Sequence, residues 1–403
     1  MTNASSAFSI QHSAFNPSPL LTGNLVLPYE VCFGELAIAD GLISAITPLG
    51  TPQPDAPLIL PGFIDLHFHG LGPYSAEDPR TLLDMAAFAP QVGMTSFCPT
   101  LAPTPWPDQL AYVRQAKEAA LVQHAGARCL GTHLEGPFIA PAAKGGMNED
   151  FLRPASLDDL RALLREADGT LRLLTISPEL PGALDVIAEA VKHGVRVAIG
   201  HTHCTIDDFQ KAVEAGARQI CHLFDTFEGR PVHGGVSQTC LTDAILIEDR
   251  VDVEIIPDGH HVQPGLIELT HRAAGTDRII AITDAMMGAG LPDGVYAESD
   301  GRPYRLTNGD VCRLTDGTGT IVGSCLTPHI AFQNLTKRFG FSIPEASRML
   351  SANPARALSL HDQTGALQEG LSADITILSP DHTTVSRCLV SGKTAFANDD
   401  AMT

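Results

Sequence analysis

The feature that most constrains this 403-residue chain is a regular alternation of short apolar runs with amphipathic stretches, which begins near residue 60. Runs rich in β-branched residues, such as RVAIGH, VDVEIIPDG and IIAITDA, are typical of buried strands. Helical patterns such as SLDDLRALLREAD and TIDDFQKAVEAGA separate them, and in the second Thr205 and Asp208 are placed to cap a helix. Repeated strand–helix alternation predicts a parallel α/β fold. The length favours a (β/α)8 TIM-like barrel over an open sheet, although periodicity alone allows either.

The two ends of the chain have a different pattern from its middle. Residues 21–60 and 365–403 read as short strands separated by turns, and they flank the α/β body. We therefore expect three parts: a flexible N-terminal arm over residues 1–20, a small β-sandwich domain assembled from residues 21–60 and 365–403, and a barrel over residues 61–364.

Imidazole and carboxylate side chains stand where the strand-like runs end. The run LPGFIDLHFHG places His67 and His69 on one face of a strand, because side chains alternate with a period of two. Other runs end in groups of the same kind: Glu135, His201, His222, His260 with His261, and Asp284. The carboxyl ends of parallel barrel strands open on one face, so these groups are expected to converge.

This composition is typical of a metal site. Any one of these histidines alone would more often be an ordinary core or surface residue, but six strand ends of this kind favour metal binding. Imidazole and carboxylate suit a divalent ion, with zinc favoured and iron or manganese as alternatives. A bound ion of this kind polarises a carbonyl and lowers the pKa of its water to about 7. Asp284, alone at its strand end, is the candidate proton carrier. Hydrolysis of an amide or related C–N bond is the reaction class that we expect.

Composition limits the partners and the location. The formal net charge is −20, from 26 basic and 46 acidic residues, which argues against a nucleic-acid or anionic membrane surface and leaves a small-molecule substrate. We see neither a signal peptide nor a run of the about 20 apolar residues that a membrane span needs. The nine cysteines form no CxxC pair, which is typical of reduced thiols and predicts a cytoplasmic protein.

Several of these segments, in this order, resemble the amidohydrolase superfamily, and within it the family of N-acetylglucosamine-6-phosphate deacetylases: PGFIDLHFHG, HLEGPF, IGHT, CHLF, DGHHV, AITDA, NPARALSL and GLSADITIL. The resemblance implies a (β/α)8 barrel with a small β-sandwich, often as a homodimer. It implies removal of an N-acetyl or similar N-acyl group from an amino sugar, with hydroxide on the metal attacking the carbonyl.

The resemblance also implies roles for single residues. Glu135, His201 and His222 would bind one ion, while His67 and His69 would join Glu135 in holding a second, so one or two ions are expected. By the same resemblance, Asp284 would act as general base and then general acid, and His261 would bind substrate.

Two segments depart from the family pattern. The family has a loop ending Lys-Gly-x-His, but here the loop reads KGGMN and places Met147, which cannot donate a hydrogen bond, at the histidine position. In the phosphate-binding segment, Asp225 and Thr226 replace an asparagine and an alanine, His233 falls where an arginine is expected, and Arg230 lies three residues earlier.

These departures leave the substrate open. An ionised Asp225 would repel a phosphate dianion at close range unless Arg230 compensates. N-acetylglucosamine 6-phosphate therefore competes with a non-phosphorylated N-acyl compound, a cyclic amide or an imine. A non-catalytic scaffold is a third reading, which the intact set of candidate ligands disfavours.

Overall fold

The computed structural model describes residues 20–122, 125–227, 232–233 and 236–398. Within them, eight short parallel strands alternate with helices. The strands are β1 Phe63–Asp65, β2 Met94–Phe97, β3 Thr132–Glu135, β4 Leu171–Ile176, β5 Arg196–Ile199, β6 Gln219–Ile220, β7 Asp252–Ile255 and β8 Ile279–Ala281. The helix that follows each strand is, in order, α1 Leu82–Phe88, α2 Trp106–Leu121, α3 Leu157–Ala167, α4 Ala183–Lys192, α5 Ile206–Ala215, α6 Leu241–Ile247, α7 Pro264–Ala274 and α8 Pro328–Gln333.

Strand pairing closes this set into a barrel. β3 to β8 pair in order and all in parallel, β1 pairs with β2, and the short strands Thr100–Leu101 and Arg128–Cys129 join β2 to β3. The remaining gap is closed after β8, where the Asp284 N–H donates to the His67 carbonyl over 2.9 Å. The (β/α)8 barrel that the sequence predicted is therefore confirmed.

Local sequence explains the helix ends. Thr205 and Asp208 form the predicted capping box at the start of α5, and Gly216 ends the helix at a φ of 113°, which favours glycine. After α8, the short α-helices Ile343–Ser347 and Asn353–Ala357 alternate with the π-helical segments Asn334–Arg338 and Arg348–Ala352.

Both ends of the chain build one seven-stranded sheet. Its strands, in spatial order, are Lys393–Ala397, Val385–Val390, Ile375–Leu378, Leu58–Pro61, Leu20–Val26, Val31–Ala39 and Leu42–Gly50. Leu58–Pro61 is the junction, because it pairs in parallel with an N-terminal strand and antiparallel with a C-terminal one. Leu25, Ile59 and Ile375 are buried in a hydrophobic cluster on this sheet. A sheet domain from both termini is thus part of the fold, as predicted.

A second antiparallel sheet lies within the segment that the sequence analysis assigned to the barrel alone. Its four strands, between β8 and α8, are Gly294–Ala297, Pro303–Leu306, Val311–Leu314 and Ile321–Ser324. Tyr304, fully buried, anchors it by donating its hydroxyl to the Met287 carbonyl over 2.7 Å. We call residues 294–324 the insert sheet. Two small hairpins, Gly70–Leu71 with Tyr74–Ser75 and Val232–His233 with Val236–Ser237, complete the described strands.

A buried carboxylate fastens the terminal sheet to the barrel. Asp374 accepts hydrogen bonds from Arg128, from the Thr364 hydroxyl at 2.8 Å and from the Ser391 N–H at 2.8 Å. All nine cysteines lie in the described residues and are free thiols. None of the described helices is long and apolar enough to cross a membrane.

Candidate metal centre

The structure brings the six predicted metal-ligating side chains to one point at the carboxyl ends of the barrel strands. Each stands at or just beyond a strand end: His67 and His69 after β1, Glu135 at the end of β3, His201 after β5, His222 after β6 and Asp284 after β8. All six are buried, with exposed fractions of 9% or less. Convergence of distant segments on one buried point is what the parallel barrel predicts.

Glu135 lies at the centre of this cage. Its Oε1 is 2.9 Å from both His201 Nε2 and His222 Nε2, and its Oε2 is 3.3 Å from His69 Nε2. Asp284 closes the other side, with Oδ1 3.3 Å from His69 Nε2 and 3.6 Å from His67 Nε2. One carboxylate thus faces every imidazole of the cage, and the second faces two of them.

The donor set fits a divalent cation. The Nε2 atoms of His201 and His222 lie only 3.1 Å apart, and the buried His67 Nε2 has no hydrogen-bond partner among the described residues. Nitrogen lone pairs this close, with carboxylate oxygens between them, need a cation or added protons to be stable. A divalent ion satisfies them together, and imidazole and carboxylate are ligands that zinc, iron and manganese share.

Residues behind the cage orient its imidazoles. His67 Nδ1 lies 3.1 Å from Glu254 Oε2, and that oxygen also accepts the His222 N–H at 3.1 Å. The other oxygen of Glu254 accepts from Gln219 Nε2 at 2.5 Å. His201 Nδ1 lies 2.9 Å from a backbone carbonyl, that of Ala143. These contacts keep Nδ1 protonated and direct the Nε2 lone pairs of His67 and His201 into the cage.

Sequence reasoning missed Glu254, although a signal was present. It stands in the middle of VDVEIIPDG, a strand whose neighbours are apolar, and its side chain is fully buried in the structure. A charged residue inside a buried strand is uncommon unless it is paired, so it marks a polar network.

Asp65 is a second buried carboxylate that sequence reasoning missed. Its Oδ2 accepts the Thr283 hydroxyl at 2.6 Å and its Oδ1 accepts the His67 N–H at 3.2 Å, so it links β1 to the end of β8 beneath the cage. Burial raises the pKa of this carboxyl to about 7, against the lowering effect of the Thr283 hydrogen bond.

Cys221 also lies beside the cage. Its Sγ lies 3.6 Å from His67 Nδ1 and 3.7 Å from Glu135 Oε1, within a group of possible ligand atoms all less than 4.8 Å apart. Strand alternation would point Cys221 away from its neighbour His222, but β6 ends at Ile220 and the chain turns there, so the alternation no longer holds.

Strained backbone accompanies the strand ends. His201 and Asp284 have φ values of 48° and 50°, in the left-handed region that residues other than glycine seldom adopt. Each such residue costs about 1–3 kcal/mol, which the surrounding structure must offset. Strain at two cage residues, on separate strands, is typical of a functional site.

The charges of the cage side chains shift one another's pKa values. Burial alone would lower the pKa of His69, but hydrogen bonds and charge from Asp284 and Glu135 raise it to about 10. Burial raises the pKa of Glu135, and the imidazoles of His67 and His201 more than reverse this and hold it well below its usual range. Protons and a divalent cation therefore compete for the same nitrogens, so metal binding is expected to release protons.

A cavity opens above the cage and encloses about 770 Å³ including its open mouth. Its floor is formed by cage residues, one wall by the Gly145–Met147 loop, and the outer rim by the insert sheet. Met147, at the position where the resemblance implied a histidine, lines this cavity and is 8% exposed. A concave cavity onto which a few polar groups converge is the usual form of a small-molecule site.

The predicted substrate-binding residues divide into three groups. Asp225 and Thr226 line the cavity, and the Thr226 hydroxyl is buried without a hydrogen-bond partner among the described residues. His261 is held by Asp258 Oδ2 at 2.6 Å from its Nδ1, and its buried Nε2 has no described partner. Arg230 lies outside the described residues, and of His233 only the backbone, in a short hairpin, is described.

A (β/α)8 barrel whose strand ends gather imidazoles and carboxylates beneath a cavity has the architecture of a metal-dependent hydrolase. Residues 58–400 match the family model described as "Amidohydrolase family", and the chain belongs to this family. It is a hydrolase that acts on carbon–nitrogen bonds, and its cage is suited to a divalent metal.

Relatives narrow the class further. The chain is 33% identical over 348 residues to an N-acetylgalactosamine-6-phosphate deacetylase of Escherichia coli O157:H7, covering 85% of this chain and 90% of that protein. It is 31% identical over 365 residues to an N-acetylglucosamine-6-phosphate deacetylase of Vibrio furnissii, covering 89% of each. The structure of a Mycobacterium smegmatis N-acetyl-D-glucosamine-6-phosphate deacetylase variant, in complex with that sugar phosphate, superimposes with a TM-score of 0.85 at 30% identity, covering 95% of this chain and 100% of that one.

Proposed function

We propose that the protein removes the N-acetyl group of an N-acetylated amino sugar by metal-dependent hydrolysis. The observation that carries this proposal is the cage itself, in which four imidazoles and two carboxylates from distant strands meet on the floor of a small-molecule cavity. The named relatives deacetylate amino sugar phosphates, which supports an acetamide as the bond that is cleaved.

The six cage residues would hold the metal: His67, His69, Glu135, His201, His222 and Asp284. A divalent ion supplies Lewis-acid polarisation of the acetyl carbonyl and activation of water when bound. Glu135 faces imidazoles through both of its oxygens, so it is the natural carboxylate to be shared between two ions. Zinc as the ion and occupancy by two ions are the finer parts of this proposal.

Asp284 would move the proton. It lines the cavity, is 7% exposed, and its carboxylate is held against His69 on one oxygen. Burial raises the pKa of Asp284, but the hydrogen bond from His69 outweighs burial and lowers it, so the group is an ionised base at neutral pH. It would accept the proton of the attacking water and then deliver it to the departing amine nitrogen.

Residues on the cavity wall and beside it would position the substrate. Thr226 offers a buried hydroxyl with no described partner, and Asp225 stands beside it on the same wall. The His261 ring is fixed by Asp258, so its Nε2 is pre-oriented for a ligand. We assign these three residues, with Arg230 and His233, to substrate binding.

The test is acetate release by the purified protein from N-acetylglucosamine, N-acetylgalactosamine and their 6-phosphates. Turnover of at least one of them, with loss of turnover in Asp284→Asn, is the expected result. Failure of the wild-type protein on all of them, with metal bound, would contradict deacetylation of amino sugars.

Other parts of the proposal concern assembly and location. We propose a homodimer in the cytoplasm, with residues 21–60 and 365–403 as one sheet domain and 61–364 as the hydrolase barrel. The free state of all nine cysteines agrees with a reducing compartment. Sedimentation of the purified protein tests the dimer directly.

A further inference from the structure

The outer part of the cavity is acidic. Beyond the cage, three more carboxyl side chains line it: Glu77, Asp225 and Glu298. Among the described residues of the lining there is neither a lysine nor an arginine. The cavity beyond the cage therefore presents negative charge and hydrogen-bond acceptors to the part of the substrate that lies outside the cage.

One carboxylate oxygen of Glu298 has no described hydrogen-bond donor. The insert sheet places it at the rim, where its Oε2 accepts from Arg302 Nη2 at 2.6 Å. Its Oε1 is buried and has no hydrogen-bond partner among the described residues. A buried acceptor without a partner costs about 1–3 kcal/mol, which a donor on a bound ligand would relieve.

Arg302 is a cation in contact with this rim, and each of its three nitrogens already donates a hydrogen bond within the protein. Besides Glu298, it donates to Asp300 Oδ2 at 2.6 Å and to the Gly146 carbonyl at 2.8 Å. These bonds tie the insert sheet to the loop on the opposite wall of the cavity. Freeing the guanidinium to bind a phosphate would break that connection.

Glu77 completes the acidic rim. Its Oε1 accepts the Ala102 N–H at 3.0 Å, and the residue is 9% exposed. Burial raises the pKa of Glu77, and burial raises that of Glu298 to about 7 against the lowering effect of Arg302. A second anion placed beside them would meet repulsion, and the described lining of the cavity offers it neither a lysine nor an arginine.

We propose, on the basis of the function proposed above, that the end of the substrate facing Glu77, Asp225 and Glu298 carries hydroxyl or ammonium donors and not a phosphate. Such donors satisfy the free oxygen of Glu298, whereas a phosphate dianion brings only acceptors and like charge. The substrate class is then a neutral or cationic N-acetylated amino sugar, although the named relatives act on sugar phosphates.

The experiment compares three compounds that differ only at the sixth carbon: N-acetylglucosamine, its 6-phosphate and its 6-amino-6-deoxy analogue. We expect kcat/KM for the neutral or the cationic compound to exceed that for the phosphate at least about tenfold, since like charges at this range alter affinity by that factor or more. A preference for the phosphate would overturn the inference and leave deacetylation intact.

Calorimetric measurement of the affinity of Asp284→Asn for each of the three compounds separates the two proposals. If the wild-type protein turns over none of the compounds but the variant binds the neutral one more tightly than the phosphate, deacetylation fails and the substrate preference stands. If the phosphate binds more tightly, the preference fails whatever the turnover.

Variants of the rim carboxylates, with a control of the same charge change, test whether these groups set the substrate preference. Glu298→Gln and Asp225→Asn should each shift the kcat/KM ratio toward the phosphate about tenfold, while Glu118→Gln, the same charge change at an exposed position on α2, should leave it unchanged. A ratio that is unmoved in both rim variants would contradict the inference.

Discussion

Glu254 offers a direct test of how the barrel holds the metal cage. Its carboxylate is fully buried and accepts three hydrogen bonds, from His67 Nδ1 at 3.1 Å, the His222 N–H at 3.1 Å and Gln219 Nε2 at 2.5 Å. In Glu254→Gln the shape is kept, but the charge is lost and one of the two acceptor oxygens is replaced by an amide NH2 donor. At least one of the three donors is then left without an acceptor.

The expected magnitude follows from these contacts. Charge-assisted bonds contribute about 1.5–3 kcal/mol each, so we expect a loss of about 2–4 kcal/mol in the free energy of unfolding. Loss of a residue that orients a metal-binding histidine typically lowers metal affinity about 10–100-fold. The variant should therefore bind zinc that much more weakly, as measured by competition with a chromophoric chelator.

Asp374→Asn is the matched control. Asp374 is also a buried carboxylate with three donors, but it joins the terminal sheet to the barrel and contacts none of the cage residues among its described bonds. It should lose a similar free energy of unfolding in denaturant titrations and keep its metal affinity. Equal metal affinities in Glu254→Gln and the wild type, or an equal loss in both variants, would refute this account of the cage.

Three further predictions concern separate features. Asp284→Asn should lower kcat by about 10²–10⁴-fold in acetate-release assays, because it removes the proton carrier; a smaller effect would assign that role elsewhere. In Gly200→Ala the new Cβ would lie 2.4 Å from Cys221 Cβ, so the chain should lose about 1–3 kcal/mol of stability and bind metal less tightly; unchanged unfolding would refute the overlap. Burial lowers the pKa of His329 to about 4, so the unfolded chain binds more protons than the folded one between pH 4 and 6.5, and stability should fall as pH falls through that window. Between pH 7 and 5, the free energy of unfolding of His329→Gln should fall by about 1–2 kcal/mol less than that of the wild type, as measured by denaturant titration. Equal losses in the two proteins would contradict this role of His329.

The barrel and the floor of the site could be predicted from the sequence because both depend on local periodicity. Strand-like runs that end in His67, Glu135 or Asp284 are visible in the chain, and parallel strands must gather their ends on one face. Convergence needs no knowledge of which strand pairs with which, so the cage could be proposed before its geometry was known.

The surroundings of the cage could not be predicted in the same way. Glu254 and Asp65 act through bonds to other strands, and Cys221 approaches His67 only because β6 ends one residue earlier. Glu298 reaches the cavity because the insert sheet folds back over the barrel, a tertiary contact with no periodic signal. Residues that set the orientation of ligands and the character of the mouth thus depend on packing between distant segments.

The measurement that tests the central claim most directly is activity against metal content in one preparation. The wild-type protein is assayed for acetate release and for bound divalent metal, then stripped with a chelator, assayed again, and reloaded with zinc, iron or manganese. Loss of turnover in step with loss of metal, and recovery on reloading, is the predicted result. Full turnover by metal-free protein would contradict the claim that the six converging side chains form a catalytic metal site.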